Sequence, residues 1–247
     1  MESINEKTLA QIVSLKPSAA VVFEKYDLDF CCKGKRTLQQ ACKEDQIKLR
    51  AVEHELDKIF RHNLLLPGDT HFDKMDSSSL VDYIMGKHHQ YVKESMPIIH
   101  SHLQKVVFKH GDSHPELHSI FKHFCDVKEE LEQHMYKEEN ILFPRIKEIH
   151  DALEKSKMHW MPDKYYLSAP IQVMEEEHDN AGNSLHEIRK LTQNYNPPDN
   201  ACTTYRLSFN ELKEFELDLH QHVHLENNIL FPRAQEMQEK LRQVLFN

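Results

Sequence analysis

Glycine is scarce in this sequence, with 5 among 247 residues. Hydrophobic residues make up 39% of the chain and charged residues 29%. Because strong helix formers dominate and turn residues are few, this balance favours a helical protein and argues against a turn-rich fold. The length suits one large domain, or a helical bundle with a small extra domain.

Long apolar runs and long basic runs are also missing. The longest apolar stretches are short, such as Ile98-Ile99 and Leu64-Leu65-Leu66. None approaches the roughly 20 residues that cross a bilayer, so no membrane partner is expected. The formal net charge is −9. A protein that binds a phosphate backbone needs a positive patch, so no nucleic-acid partner is expected either.

A visible export signal is the third absence. The first residues, MESINEKTLAQ, do not place a basic segment before an apolar core. The chain has 5 cysteines, an odd number, and without an export signal this indicates free thiols in a reducing compartment. We therefore expect a cytoplasmic protein.

The chain divides near residues 63–79, where Pro67-Gly68 is followed by a serine run able to cap a helix. Short helical patterns precede this break and predict a small helical domain over residues 1–70. Four long helical patterns in residues 76–247 predict helices from near Ser78 to about His110, from His114-Pro115 towards Ile149, from Pro170 to Asn194 and from Ala201 onwards, with a connection at 158–170. We predict an all-α protein: an antiparallel four-helix bundle preceded by the small helical domain.

Histidine is abundant, with 19 residues, and two of the segments that contain it nearly repeat each other. One segment, 134–145, reads HMYKEENILFPR, and the other, 222–233, reads HVHLENNILFPR. Each contains His-x-x-x-Glu followed by the same Ile-Leu-Phe-Pro-Arg. A further histidine precedes each segment at a similar distance, His89 before the first and His178 before the second. This pattern indicates a duplicated helix pair.

The spacing within the repeat indicates a shared binding site, because residues four apart lie on one face of a helix. The two segments can therefore point His134, Glu138, His222 and Glu226 into the bundle, towards His89 and His178. If each glutamate bridges two metals, each metal receives two histidine nitrogens and two carboxylate oxygens. An oxo or hydroxo bridge would add a fifth donor and leave one position open. This mixed ligation suits a pair of redox-active, non-haem iron ions better than structural zinc.

A single His-x-x-x-Glu is weak support, because exposed charged pairs often have that spacing. The second copy strengthens the metal interpretation, although Ile-Leu-Phe-Pro itself is typical of core packing and helix kinking. The neighbouring histidines His220 and His224 are expected to be solvated. His110 and His114 are expected to cap a helix junction, and His110 could also support a metal ligand. Cys42, Cys125 and Cys202 are expected to be packing residues.

The segments HHQYVKESMP, HMYKEENILFP, VMEEEHDNAG and HVHLENNILFPRA resemble the hemerythrin-like di-iron domain. The earlier segment YDLDFCCKGKRTL resembles the small ScdA-type domain found ahead of that bundle. Together they resemble the ScdA/YtfE-like iron–sulfur cluster repair di-iron proteins, the RIC family. That family's ligands match the six residues chosen above, with His89 rather than His88. An oxygen-carrying hemerythrin would have a further histidine at the position of Gly182.

The resemblance implies that the protein repairs iron–sulfur clusters damaged by nitrosative or oxidative stress, by donating iron from its di-iron site. The implied partners are damaged iron–sulfur proteins or scaffold proteins, with nitric oxide or dioxygen as small ligands and a second copy of the chain in a homodimer. Two alternatives stay open. One is a hemerythrin-like protein that binds or senses nitric oxide or dioxygen, and the other is a nitric oxide reductase. Whether the protein is an enzyme is therefore undecided.

The adjacent pair Cys31-Cys32 is the second candidate site. A disulfide between neighbours is strained, and Lys33, Lys35 and Arg36 would favour the reactive thiolate form. From the residues alone, two partly buried structural cysteines are an equally good interpretation. The resemblance favours functional thiols that handle iron, nitric oxide or a partner protein. In that resemblance a glycine commonly follows the pair, whereas here Lys33 precedes Gly34.

Overall fold

The computed structural model describes residues 4–61, 72–155 and 162–246. These residues are mainly helical, and their one β-type contact is an isolated bridge between Thr8 and Thr37. No helix among them is long and apolar enough to cross a membrane. Much of the predicted break at 63–79 and the start of the predicted connection at 158–170 lie outside the described residues.

Four short helices form the N-terminal part of the chain: α1 (Leu9–Leu15), α2 (Ala20–Lys25), α3 (Leu38–Glu44) and α4 (Leu49–Arg61). Thr8 and Thr37 cap α1 and α3 in the same way. Each threonine hydroxyl accepts a hydrogen bond from the backbone N–H of the glutamine three residues later, and the side-chain oxygen of that glutamine accepts one from the backbone N–H of the threonine. These reciprocal caps satisfy backbone donors that a short helix leaves unpaired. The helices enclose an apolar cluster of their own, which includes Phe23, Leu38 and Leu56.

Four long helices follow. Helix α5 covers residues 77–110, α6 covers 116–155, α7 is Ser168–Leu191 and α8 covers 203–246. The predicted helix starts agree with these bounds to within two residues. Asp76 rather than a serine caps α5, through a hydrogen bond from the Ser79 backbone N–H to its carboxylate.

Contacts between the long helices show that neighbours run in opposite directions. Along α7 and α8, His178 meets Asn227, and Arg189 meets the earlier residue Glu216. Helices α5 and α8 show the same order, since His88 meets Asp218 and His102 meets Glu211. The prediction of an all-α, antiparallel four-helix bundle behind a small helical region is confirmed.

Three of the four long helices contain a wider, π-type turn: Ile84–His89 in α5, Glu138–Leu142 in α6 and Glu226–Leu230 in α8. In α6 and α8 the backbone N–H of Phe143 or Phe231 donates to the carbonyl five residues earlier. The following proline explains this geometry, because it has no N–H and its ring would clash with a carbonyl four residues back. Turns of this type often occur at functional sites.

The bundle interior has two apolar clusters. One includes Val92, Phe124 and Leu219, and the other includes Ile84, Phe143 and Leu230. The wide turns lie at the junction between the clusters, so a layer of buried polar side chains separates two blocks of core.

Candidate metal centre

The six predicted ligand residues meet in this polar layer. His89 ends the wide turn of α5, while α7 contributes His178. The remaining four are the His-x-x-x-Glu pairs of α6 and α8, in which the glutamate begins the wide turn. Each of the six side chains is at most 2% exposed: His89, His134, Glu138, His178, His222 and Glu226.

The six residues form two groups of four that share both glutamates. In what we name site A, His89 and His222 lie with Glu138 and Glu226, and in site B, His134 and His178 lie with the same two glutamates. Within each group the potential ligand atoms all lie within 4.8 Å of one another. Two shared carboxylates between two histidine pairs are the arrangement that can bridge two metal ions.

Distances between the ring nitrogens and the carboxylates are short in both sites. In site A the Nε2 atom of His89 lies 3.3 Å from Glu138 Oε2, and that of His222 lies 3.0 Å from Glu226 Oε1. In site B, His134 Nε2 lies 3.3 Å from Glu138 Oε2 and His178 Nε2 lies 3.1 Å from Glu226 Oε2. All four histidines therefore present the same ring nitrogen to the shared carboxylates.

Outer partners orient both rings of site B. The Nδ1 atom of His134 lies 2.9 Å from a carboxylate oxygen of Glu177, and that of His178 lies 2.8 Å from Asn227 Oδ1. Both partners are acceptors, so in the neutral form that binds a metal each ring carries its proton on Nδ1 and directs the Nε2 lone pair inward. The two Nε2 atoms are 2.9 Å apart, so both rings face one point, where a metal ion could replace the proton between them.

In site A only one of the two histidines has an outer hydrogen-bond partner among the described residues. The Nδ1 atom of His89 lies 2.7 Å from Glu139 Oε1, whereas the buried Nδ1 of His222 has no hydrogen-bond partner among the described residues. The ring of His88 stacks on His222 instead, with centroids 5.6 Å apart. His88 itself is bonded through Nδ1 to Asp218, so the structure places His89, and not His88, against the shared carboxylates.

Unpaired buried oxygens test whether these residues fit a metal. Neither carboxylate oxygen of Glu138 and only one of Glu226 has a hydrogen-bond partner among the described residues, and both side chains are fully buried. Removing a carboxylate from water costs several kcal/mol unless a cation and good geometry compensate. Two buried carboxylates facing four histidines therefore fit a pair of cations well.

The pKa values of the buried carboxylates and histidines also fit a pair of cations. Burial alone would raise the pKa of Glu138, but the facing histidines lower it to about 2, so this carboxylate stays ionised. Burial alone would lower the pKa of His89, but the nearby carboxylates of Glu138 and Glu226 raise it to about 10. Glu138 and Glu177 likewise raise the pKa of His134 to about 10. Because a metal ligand must be neutral imidazole, metal binding displaces these protons.

Of the two histidines expected to be solvated, His224 is buried and His220 is half-buried. His224 is 2% exposed, and burial lowers its pKa to about 4. His220 lies 2.5 Å from Glu24 of the N-terminal helices. The prediction was wrong because the N-terminal helices cover this face of α8, a contact that helical spacing does not reveal.

The expected role of His110 beside a metal ligand was also wrong. It lies 21 residues after His89 on the same helix, roughly 30 Å away, and its Nε2 atom contacts the sulfur of Cys202 at 3.3 Å.

The N-terminal helices dock on α7 and α8 through two sets of polar contacts. The guanidinium of Arg189 on α7 donates to Glu24 and Asp27, and also to Glu216 on α8. The side-chain amide of Asn228, in the wide turn of α8, donates to the backbone carbonyl of Cys31 at 2.9 Å. The cysteine loop is thus bonded to a residue two positions after Glu226.

The expectation that basic neighbours activate Cys31 was wrong. A hydrogen bond to Cys32, burial and the nearby charge of Asp29 raise the pKa of the Cys31 thiol well above its usual value. The basic side chains are directed elsewhere, since Arg36 pairs with Glu44 and Asp45, and Lys35 lies 3.6 Å from Glu175. All five cysteines are free thiols.

Known families match both parts of the chain. Residues 80–234 match the hemerythrin HHE cation binding domain, and residues 5–59 match ScdA_N, a domain of unknown function. The chain is 35% identical to the iron–sulfur cluster repair protein YtfE of Enterobacter sp. (strain 638) over 94% of this chain and 98% of that protein. It is 34% identical to the same-named protein of Citrobacter koseri over the same shares, and 34% identical to that of an Escherichia coli O17 strain over 93% and 96%.

Proposed function

The chain belongs to the hemerythrin HHE cation binding family, together with the iron–sulfur cluster repair proteins that share both of its domains, and we propose that it repairs damaged iron–sulfur clusters by donating iron. The damage in question is nitrosative or oxidative. The observation that carries the proposal is the pair of buried four-residue groups with both glutamates in common.

In this proposal the six buried side chains hold two non-haem iron ions. Glu138 and Glu226 would hold both ions, and two histidines would complete the protein ligands of each. The bound irons would supply both the exchangeable cargo and an open position for a small ligand. The chain's own contribution is to keep both carboxylates ionised and to hold the imidazole lone pairs inward.

Donation follows from the type of ligand. Imidazole nitrogen and carboxylate oxygen are harder donors than the thiolate and sulfide ligands of an iron–sulfur cluster. Iron that leaves this centre for a damaged cluster therefore moves towards softer ligands. Protons can return to His89 and His134 as iron leaves, because the carboxylates hold the pKa of both residues near 10 in the metal-free chain.

A reactivation assay tests the proposal. A cluster enzyme such as aconitase is inactivated with nitric oxide, repurified, and mixed anaerobically with the iron-loaded chain, a thiol reductant and a ferrous chelator that competes for free iron. We expect recovery of activity with the loaded chain and none with the metal-free chain or with Glu138→Leu. Full iron loading without recovery would contradict repair by donation.

A second candidate function is reversible binding of nitric oxide or dioxygen. It is favoured by the four protein ligands available to each site, which leave coordination positions open. A stable and reversible adduct, with no iron lost to the chelator, would support this function over donation, whereas steady consumption of nitric oxide would support a reductase.

We further propose that the protein acts on a damaged cluster protein or scaffold in the cytoplasm, as a homodimer. The free state of all five cysteines supports the reducing compartment.

A further inference from the structure

Three side chains of the loop after α2 converge outside the bundle. The Sγ atoms of Cys31 and Cys32 are 3.8 Å apart, and Cys31 Sγ lies 3.3 Å from Asp29 Oδ1. One ligand atom from each of the three lies within 4.8 Å of the others. None of these residues belongs to site A or site B.

The sulfur separation matches a single metal rather than a disulfide. Two thiolates bound 2.3 Å from one tetrahedral metal are about 3.8 Å apart, whereas bonded sulfurs are about 2.0 Å apart. The 3.8 Å between Cys31 and Cys32 therefore allows both to bind one ion with little movement. A carboxylate oxygen at the Asp29 position supplies a third donor.

Loop capping accounts for only part of this arrangement. Asp29 Oδ1 accepts hydrogen bonds from the backbone N–H groups of Cys31 and Cys32 and from the Cys31 thiol. These bonds fix the carboxylate beside the sulfurs and all reach one oxygen. A bound cation would also relieve the mutual effect by which Cys32 and Asp29 raise the pKa of Cys31.

The three side chains line a cleft of about 660 Å³ between the loop and the bundle. Six carboxylates line this cleft against three cationic side chains, Lys33, Arg36 and Arg189. Arg36 and Arg189 pair with four of these six carboxylates, Glu24, Asp27, Asp45 and Glu216, so the excess of negative charge in the lining is modest. The cleft leaves room for a fourth ligand from solvent or from a partner.

The cleft lies against the same helices that carry the buried centre. A Cβ atom at Gly182, one turn after His178, would lie 3.8 Å from Cys32 Sγ. Cys31 belongs to the apolar cluster that also contains Ala181 and Val223 of the bundle.

We propose that Asp29, Cys31 and Cys32 form a second metal site, which binds one thiophilic divalent ion. Binding releases the two thiol protons to solvent and forms two metal–sulfur bonds, with no change in oxidation state. In the working protein the ion would be Fe²⁺ passing between the buried centre and a recipient, and this role, unlike the site, rests on the proposed function.

Cd²⁺ is the probe, because its bonds to thiolate give an ultraviolet charge-transfer band that histidine and carboxylate ligands do not. The iron-loaded full chain, with Cys125→Ala and Cys202→Ala to remove two other thiols, is titrated anaerobically. We expect a band that saturates at one Cd²⁺ per chain. Cys31→Ser and Cys32→Ser should each remove most of it.

Asp29→Asn is the sharper variant, because its amide oxygen can still accept the two backbone hydrogen bonds. We expect it to keep the band but to weaken Cd²⁺ binding ~10-fold or more, since even an outer partner of a metal ligand is worth that much. Circular dichroism checks that each variant folds.

Absence of the band in the folded, thiol-reduced chain would overturn the proposal, as would a band that survives Cys31→Ser or Cys32→Ser. The outcome is separate from that of the reactivation assay. A missing band beside normal cluster repair contradicts this site alone, and a normal band beside failed repair contradicts the proposed function alone.

Discussion

The two copies of the repeated segment, 134–145 and 222–233, share most of their sequence but have different surroundings. Their inward residues correspond, as Glu138 and Glu226 are both fully buried. Their outward residues do not, since Tyr136 is 63% exposed whereas His224, at the matching position, is 2% exposed. Among the described residues, the N-terminal region packs on the second copy, where the ring of Phe30 lies against His224. Duplication therefore accounts for the polar layer, and the added helices account for its asymmetry.

The two copies also differ in the residue that hydrogen-bonds to a histidine of the polar layer. The residue after each glutamate orients the histidine on the other helix of the same pair, but it is Glu139 in the first copy and Asn227 in the second. Lys93 lies 2.6 Å from Glu139, so the first copy uses an ion pair where the second uses a neutral amide. Three pairs of variants compare the two copies, and a fourth tests the contact that covers the second copy.

The largest effect is expected from the shared carboxylates. Glu138→Leu and Glu226→Leu should each reduce iron from about two ions per chain to nearly none, because each glutamate serves both sites. Leucine fills much of the volume and removes the buried charge, so the helical circular dichroism spectrum should persist. Retention of one full iron in either variant would show that the carboxylate is not shared.

The next effect concerns the covered copy. Arg189→Met should lower the free energy of unfolding by roughly 3 kcal/mol, because it leaves the buried carboxylate of Glu216 unpaired. Urea unfolding measures the loss, and Lys190→Met at an exposed neighbouring position should change little. The double variant Arg189→Met/Glu216→Leu should recover part of the stability, and no recovery would argue against the buried pair.

A smaller effect is expected from the outer partners. Glu139→Ala should weaken iron binding in site A and Asn227→Ala in site B, each by about 10–100-fold, because each removes the acceptor that orients one histidine. Competition with a ferrous chelator gives the affinities. The exposed Glu236→Ala is the control on α8, and affinities equal to this control would contradict the orienting role.

The smallest expected effect is a difference in stability between variants of two matching asparagines. Asn228 and Asn140 occupy matching positions, but Asn228 donates to the carbonyl of Cys31 whereas Asn140 donates within its own helix, to Tyr136. Asn228→Ala should cost about 1 kcal/mol of stability and Asn140→Ala much less. Equal losses in urea unfolding would show that the docking bond contributes nothing measurable.

The helices, and the convergence of the six predicted ligand side chains, could be predicted from local sequence patterns. Helix starts were signalled by Pro115 and by the serine run, and His134 and Glu138 share a helix face by spacing alone. The repeat supplied the rest, since it implied a second pair facing the first. Whether the six bind metal, and whether residues 1–70 and 76–247 are the domains, stay predictions.

Docking of the N-terminal helices could not be predicted, because it depends on residues far apart in the sequence. Arg189 meets Glu24 across more than 160 positions, and no periodicity links them. The identical residues Asn140 and Asn228 show the limit most clearly, since the same side chain in the same local sequence has different partners. The wide turns had a local signal, the prolines at 144 and 232, which indicated a kink but not its form.

Electron paramagnetic resonance of the half-reduced chain, together with metal analysis, tests most directly whether the two copies build one centre. The account predicts about two irons per chain and a signal from two coupled irons of different valence, since Glu138 and Glu226 lie in both groups. Zinc, a single isolated iron or two uncoupled irons would contradict it.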